Sequence, residues 1–295
     1  VNLSNFGMDS ITLAGPLEAK LRASRAAGFS QIMLWARDLA GHPGGLDEAV
    51  RLVRASGVRV TGIQVMRDYE GLDGALHEYK LDIARQMLMV CQAVGAPLLM
   101  VCSSTSSHAS GDMRLIARHL AKLATLAVPL GVRVGYEALS WGRHVNQYEQ
   151  SWEAVELADH ANLGVVIDSF HMLANRANLD GLEDIPSQKI AMVQLSDFMW
   201  RDIRSAEERL ETARHLRVFP GEGAHSAELT DLLRRLDRAG YRGDYSFEVF
   251  NDDYLQLAPE IVGQRAHSAA KWVTDQVLRR SLEVRRPTAG HPTMA

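Results

Sequence analysis

Short apolar, β-branched runs alternate along this chain with stretches whose apolar positions recur every three to four residues, and glycine marks most of the joints. NFGMDSI reads as a first strand, followed by the helix PLEAKLRASRAAG with Pro16 at its entry. FSQIMLWA and LDEAVRLVRASG repeat the unit, as do VRVTGIQV and the long helix LHEYKLDIARQMLMVCQAVG. APLLMVCSS pairs with DMRLIARHLAKLATLAVPLG, and VRVGYEAL with SWEAVELADH. LGVVIDSF is a sixth strand, followed by a poorly formed helix around residues 172–185. KIAMVQLSD is the seventh, with a helix over 226–240, and GDYSFEVF the eighth, closed by a helix from Leu257 to Arg280.

Several helices end in the same small phrase. RAAGF, RASGV, QAVGA, VPLGV and RAGY each place glycine where a left-handed C-cap relieves strain before the next strand. Eight strand–helix units over about 280 residues predict a (β/α)8 TIM barrel, an α/β fold. A doubly wound sheet is the alternative, but the first turn lacks GxGxxG and eight regular units favour closure. One catalytic domain is expected over residues 1–281. The polar, proline-containing remainder, residues 282–295, reads as a frayed tail.

Composition narrows the class of partner. With 46% hydrophobic and 23% charged residues the chain reads as an ordinary globular protein, and its net charge of -4 offers no field for nucleic acid or anionic membrane. Cys91 and Cys102 lie in apolar runs without metal-site spacing, which suits buried thiols in a reducing compartment. No window approaches about 18 uninterrupted apolar residues, and no charged-then-apolar leader opens the chain. A cytoplasmic protein acting on a small molecule is expected, with no nucleic-acid or membrane partner; self-association into a homo-oligomer is allowed.

The late strands carry the chemistry. In a barrel of this kind the site sits at the C-terminal strand ends. There, strand five carries Glu137, strand six Asp168, strand seven Gln194 and strand eight Glu248. Any one of them reads equally well as a loop cap or a rim ion pair. Several carboxylates converging on one rim would repel one another unless a cation offsets them. Three carboxylates and an amide oxygen are hard donors, suited to Mg²⁺, Mn²⁺ or a similar divalent ion. His171, just past Asp168, and His144, after strand five, are candidate acids or bases, although a lone loop histidine is more often a bystander. Arg67 and Arg217 suit an anionic or polyhydroxylated substrate because the guanidinium fork binds carboxylate bidentately. Asp197, Trp35, Trp141 and Trp200 are candidate pocket walls. His108, His119, His215 and His225 take no role.

YEALSWGRHVN, LGVVIDSFHML, KIAMVQLSD, RVFPGEG and YSFEVFND, in that order and spacing, resemble the xylose isomerase-like TIM-barrel superfamily of sugar phosphate isomerases and epimerases. Within it the likeness is to the bacterial 3-dehydroshikimate dehydratases, from about residue 5 to residue 275 and strongest over 132–252. The resemblance implies a divalent metal (Mg, Mn or Co) on Glu137, Asp168, Gln194 and Glu248. Many superfamily members have His where this chain has Gln194, whereas the dehydratases have Gln. It further implies His171 as the proton-transfer residue, with His144, Arg67 and Arg217 as substrate contacts. The chain departs from the dehydratases at Met33 and Ala36, where acidic residues are usual, and across Ser196–Trp200. Those differences bear on the substrate rather than on the metal.

The activity so implied is metal-dependent dehydration of 3-dehydroshikimate to protocatechuate through a stabilised enolate, a step of quinate and shikimate catabolism. The alternative is an isomerase or epimerase of a keto-sugar or cyclitol running the same enediolate chemistry. It needs a base on each face of the substrate, which Met33 and Ala36 do not supply. A metal-dependent nuclease would want more histidines and a basic face. A barrel that only binds a ligand would have lost its metal donors, and all are present.

Overall fold

The computed structural model describes residues 3–279 of the chain, so the expected tail, 282–295, and the end of the expected domain lie outside the described residues. Eight parallel strands close into a barrel: β1 (Phe6–Asp9), β2 (Gln31–Trp35), β3 (Arg59–Met66), β4 (Leu98–Cys102), β5 (Arg133–Glu137), β6 (Leu163–Asp168), β7 (Ile190–Leu195) and β8 (Tyr245–Phe247). Each strand pairs with its neighbours in chain order, and β8 closes on β1 with Phe6 opposite Tyr245 and Met8 opposite Phe247. All the expected strands are present, trimmed at their ends. The glycines of the five helix-ending phrases hold positive φ, from 67° at Gly131 to 89° at Gly28, as a left-handed cap requires.

Two departures from the sequence reading occur near the site. The weak helix expected at 172–185 is a short helix, Ser169–Ala174, that starts directly at the end of β6 because the Asp168 carboxylate caps it, accepting from Phe170 N at 2.7 Å. After β7 the chain inserts a two-residue antiparallel ladder, Asp197–Phe198 against Arg217–Val218, and the helix Ala206–His215 between them. That helix escapes the periodicity reading because AEERLETARH carries almost no apolar stripe and buries only Thr212 and Ala213.

Side chains alternate across each strand, and this alternation aims the functional groups. Phe6, Met8, Val134, Tyr136, Val165, Ile167, Val193, Leu195, Tyr245 and Phe247 point outward into the main core under the helices. Met33, Leu98, Met100, Val166 and Met192 form a separate apolar plug inside the barrel. In β6, Val166 faces inward, so Asp168 two positions on does too; in β7, Met192 does the same for Gln194. Above the plug the lumen is therefore polar.

Candidate metal centre and its cavity

Register brings the donors together. Asp168 of β6 stands opposite Gln194 of β7, and Gln194 opposite Ser246 of β8, two residues before Glu248. Glu137 and Glu248 are 3% and 5% exposed, Asp168 2% and Gln194 0%, so none is a solvated strand end. They lie at or beneath the floor of a cavity of about 950 Å³ that opens at the C-terminal end of the barrel, of the size expected for a small-molecule site. Glu137, Glu248, His171, Arg217, Arg67 and Trp141 are on its lining.

Arg217 ties two of the carboxylates together. Its Nη1 donates to Asp168 Oδ2 at 2.9 Å and to Glu248 Oε2 at 3.0 Å, while Nε donates to the Ala213 carbonyl. The guanidinium also lies over the Phe170 ring, 4.4 Å from its centroid. His171 faces the same cluster, with Nε2 3.6 Å from both Glu137 Oε1 and Asp168 Oδ2. Its Nδ1 accepts the backbone N–H of Ser140 at 3.1 Å, so the neutral ring carries its proton on Nε2. Trp141 meets the ring edge to face at 5.0 Å.

Burial pushes the Glu137 carboxyl well above its usual range, and the charges of Asp168 and Glu248 add to the shift. Glu248 is pushed up to about 7 by burial, with Arg217 opposing and Asp168 adding. Burial drives His171 down to about 3, opposed by Asp168. Glu137, Asp168 and Glu248 thus crowd around a single buried guanidinium, with Asp9 beside Glu248 and Asp168. Three oxygens in this cluster, Glu137 Oε1, Gln194 Oε1 and Asp9 Oδ1, are buried without a hydrogen-bond partner. Surplus negative charge together with orphaned oxygen donors is the condition that a hard divalent cation satisfies, so the residues present fit such an ion.

Most of the residues picked out from sequence converge here, and two need correcting. His144 does not face the cavity: it is exposed, and its Nε2 is 2.9 Å from the Ala109 carbonyl oxygen. Asp197 is buried beside the small ladder, where it pairs with His225 Nδ1 at 2.8 Å and caps Phe198 N, so it is not a cavity wall. Arg217 does line the cavity, with Nη1 committed to Asp168 and Glu248 and Nε to the Ala213 carbonyl. Arg67, Trp35 and Trp141 do line it, while Trp200 packs near Phe198 outside it. Of the two departures at β2, Met33 belongs to the lumen plug and Ala36 starts a short helix. In the Ser196–Trp200 segment only Ser196 reaches the cluster, its Oγ 3.3 Å from Arg217 Nη1.

Two functional-site residues were not singled out from the sequence. Asp9 ends β1, is fully buried, and its Oδ2 accepts from Gln194 Nε2 at 3.1 Å. The rule that selects a polar residue at the end of an apolar strand, carried back from the late strands to NFGMDSI, picks it out. Lys20 lines the cavity at 6% exposure, with its ammonium 2.8 and 2.9 Å from the Asp38 carboxylate oxygens. Its signal is position: it falls on the apolar face of its helix with Leu17 and Leu21.

Comparison with known proteins follows the same lines. Residues 21–276 match the profile of the xylose isomerase-like TIM barrel. The 3-dehydroshikimate dehydratases of Pseudomonas aeruginosa and Pseudomonas putida are 38% and 37% identical to this chain over 83% of its length. The chain spans only 38% of the length of each of these curated relatives. Inosose isomerase of Halalkalibacterium halodurans is 26% identical over 73% of this chain and 75% of its own. Among solved structures, a xylose isomerase-like TIM barrel/4-hydroxyphenylpyruvate dioxygenase fusion protein superposes with a TM-score of 0.87 at 34% identity, over 94% of this chain and 44% of that one. The IolI protein with a bound zinc atom superposes with a TM-score of 0.80 at 21% identity, over 92% of this chain and 99% of that one.

Proposed function

Because this chain belongs to the xylose isomerase-like TIM barrel family, we propose that it is a divalent-metal-dependent lyase that dehydrates 3-dehydroshikimate to protocatechuate. The observation that carries the reading is the convergence of Glu137, Asp168, Gln194 and Glu248, with orphaned buried oxygens, on the cavity of a chain 38% identical to a 3-dehydroshikimate dehydratase. Those four residues would hold the ion, with Mg²⁺, Mn²⁺ or Co²⁺ as the candidates. When bound, such an ion supplies Lewis-acid stabilisation of negative charge developing on a carbonyl oxygen.

The chain's own residues account for the rest. The C4 proton of 3-dehydroshikimate lies next to the C3 ketone and is too weakly acidic in water for an unassisted base. The elimination moves one proton from C4 to the C5 hydroxyl, which departs as water, and His171, whose Nε2 faces the cluster, is the residue assigned to that transfer. Arg67, on the cavity wall with its guanidinium not used in the cluster, is the cation for the ring carboxylate. Trp141 and the apolar wall keep water from the reacting face.

A second reading, a cyclitol or keto-sugar isomerase, draws on the inosose isomerase of Halalkalibacterium halodurans, which this chain covers over 75% of its length. The β2 end argues against it, since Met33 is sealed in the plug and Asp38 is engaged by Lys20 and Ser10. Incubating the metal-loaded protein with 3-dehydroshikimate and following the ultraviolet absorbance of protocatechuate tests the proposal. Product is expected with at least one of Mg²⁺, Mn²⁺ and Co²⁺. Its absence with all three, together with turnover of an inosose, would replace the leading reading by the second.

A further inference from the structure

The donor on β7 is an amide, and an amide can face a site in two ways. Rotating its terminal group by half a turn exchanges oxygen for NH₂ at almost no steric cost. A glutamine that presents NH₂ repels a cation, so a metal centre that uses Gln194 needs something to choose its orientation. The choice comes from β1, two strands round the barrel on the far side of β8. Asp9, across the barrel seam on β1, is 0% exposed, as is Gln194, and its Oδ2 accepts from Gln194 Nε2 at 3.1 Å. An ionised carboxylate, which Asp9 becomes beside a bound cation, accepts and cannot donate, so with the ion in place this contact exists in only one of the two orientations. In that orientation Gln194 Oε1 is left buried and unpartnered, which is the state of a donor reserved for a ligand.

We propose that Asp9 is the positioning residue of the metal centre: it locks the Gln194 amide with its oxygen toward the ion and adds one negative charge behind it. The inference rests on the metal-dependent reading above and extends it to a residue outside the four donors. Carrying a fourth buried carboxyl so close to Glu248 and Asp168 is costly to the metal-free fold. A residue kept for packing alone would not carry that cost, because asparagine has nearly the same shape.

The test is a double-mutant cycle on the whole, chelator-stripped protein, with Mn²⁺ binding followed by titration calorimetry and thermal unfolding followed without metal. Asp9→Asn offers NH₂ as readily as oxygen to Gln194 and so loses the selection. Mn²⁺ binding is expected to weaken by about 10–100-fold, the usual cost of removing an orienting partner. The metal-free unfolding midpoint should hold or rise, since a carboxyl that is costly to bury has gone. In a Gln194→Ala background the same substitution should change Mn²⁺ affinity by less than about 3-fold, because the residue through which Asp9 acts is missing. Asp9→Ala serves as the second variant, with the same expected loss of affinity. Unchanged Mn²⁺ binding in both Asp9 variants overturns the inference, as does an equal loss with and without Gln194. A wild-type protein that binds no divalent ion overturns the metal reading as well, which separates that failure from this one.

Discussion

Arg217 is the residue on which the cluster balances. It pairs Asp168 and Glu248 from the inside of the barrel at 2% exposure, so removing it leaves two buried carboxylates facing each other. Arg217→Met, which keeps the bulk, should lower the stability of chelator-treated protein by about 3–5 kcal/mol in urea unfolding at pH 8. The deficit should shrink as the pH falls. Glu248 is held up to about 7 in the native protein, above an ordinary carboxyl, so it takes a proton early and the repulsion fades. His171→Asn addresses the chemistry instead. It should cut turnover by about 10²–10⁴-fold, the range for loss of a proton-transfer group, while calorimetry shows Mn²⁺ still bound. Turnover near wild type with metal bound would remove His171 from the mechanism.

At the scale of elements, strand alternation made the centre readable before any coordinates. The apolar residues of β5, β6, β7 and β8 fix which face is core, and the polar residue that follows in phase is lumenal by geometry. Loops offer no such phase. His144 and Asp197 sit in segments whose direction is set by particular backbone contacts, and nothing in their spacing shows that one faces Ala109 and the other His225. Arg217 was visible as a cation near the site, but its pairing with Asp168 follows from the small ladder after β7, whose intervening helix lacks an apolar stripe. The loop after β5 is sensitive to change. A Cβ on Gly142 would run into the Val145 carbonyl oxygen and Ser103 Oγ, and the carbonyl is backbone that cannot swing away. Because this loop supplies the Ser140 N–H that fixes His171, Gly142→Ala should cost activity out of proportion to stability. A lowered kcat with a melting temperature within a few degrees of wild type is the expected pattern; equal loss in both would make the loop merely structural.

Across the whole molecule, sensitivity to acid has a source outside the carboxylate cluster. His77 and His119 stack between the helices Gly74–Val94 and Met113–Ala127 with ring centroids 3.7 Å apart, and both His77 nitrogens are buried without a partner. Burial, then the His77 ring, pushes His119 down to about 4. A histidine lowered in the native state binds fewer protons there than in the unfolded chain. Its contribution is therefore complete above about pH 6.5 and is lost as the pH falls toward 4. His119→Gln should flatten the fall of the urea midpoint between those pH values, and an unchanged slope would place the acid sensitivity elsewhere. Among the described residues no helix is long and apolar enough to cross a membrane.

The seam between β1 and β8 sets an order of events during synthesis. Phe6 pairs with Tyr245, so any sheet built on the emerging chain keeps two bare edges until almost every described residue has left the ribosome. At about 5–20 residues per second that interval lasts on the order of ten seconds or more. The strand that finally closes the ring is followed at once by Glu248, and closure is also what brings Asp9 up against Gln194. The nascent protein thus exposes its strand edges to chaperones, and to other chains, for as long as its centre is incomplete. Sealing the ring and completing the centre are one event.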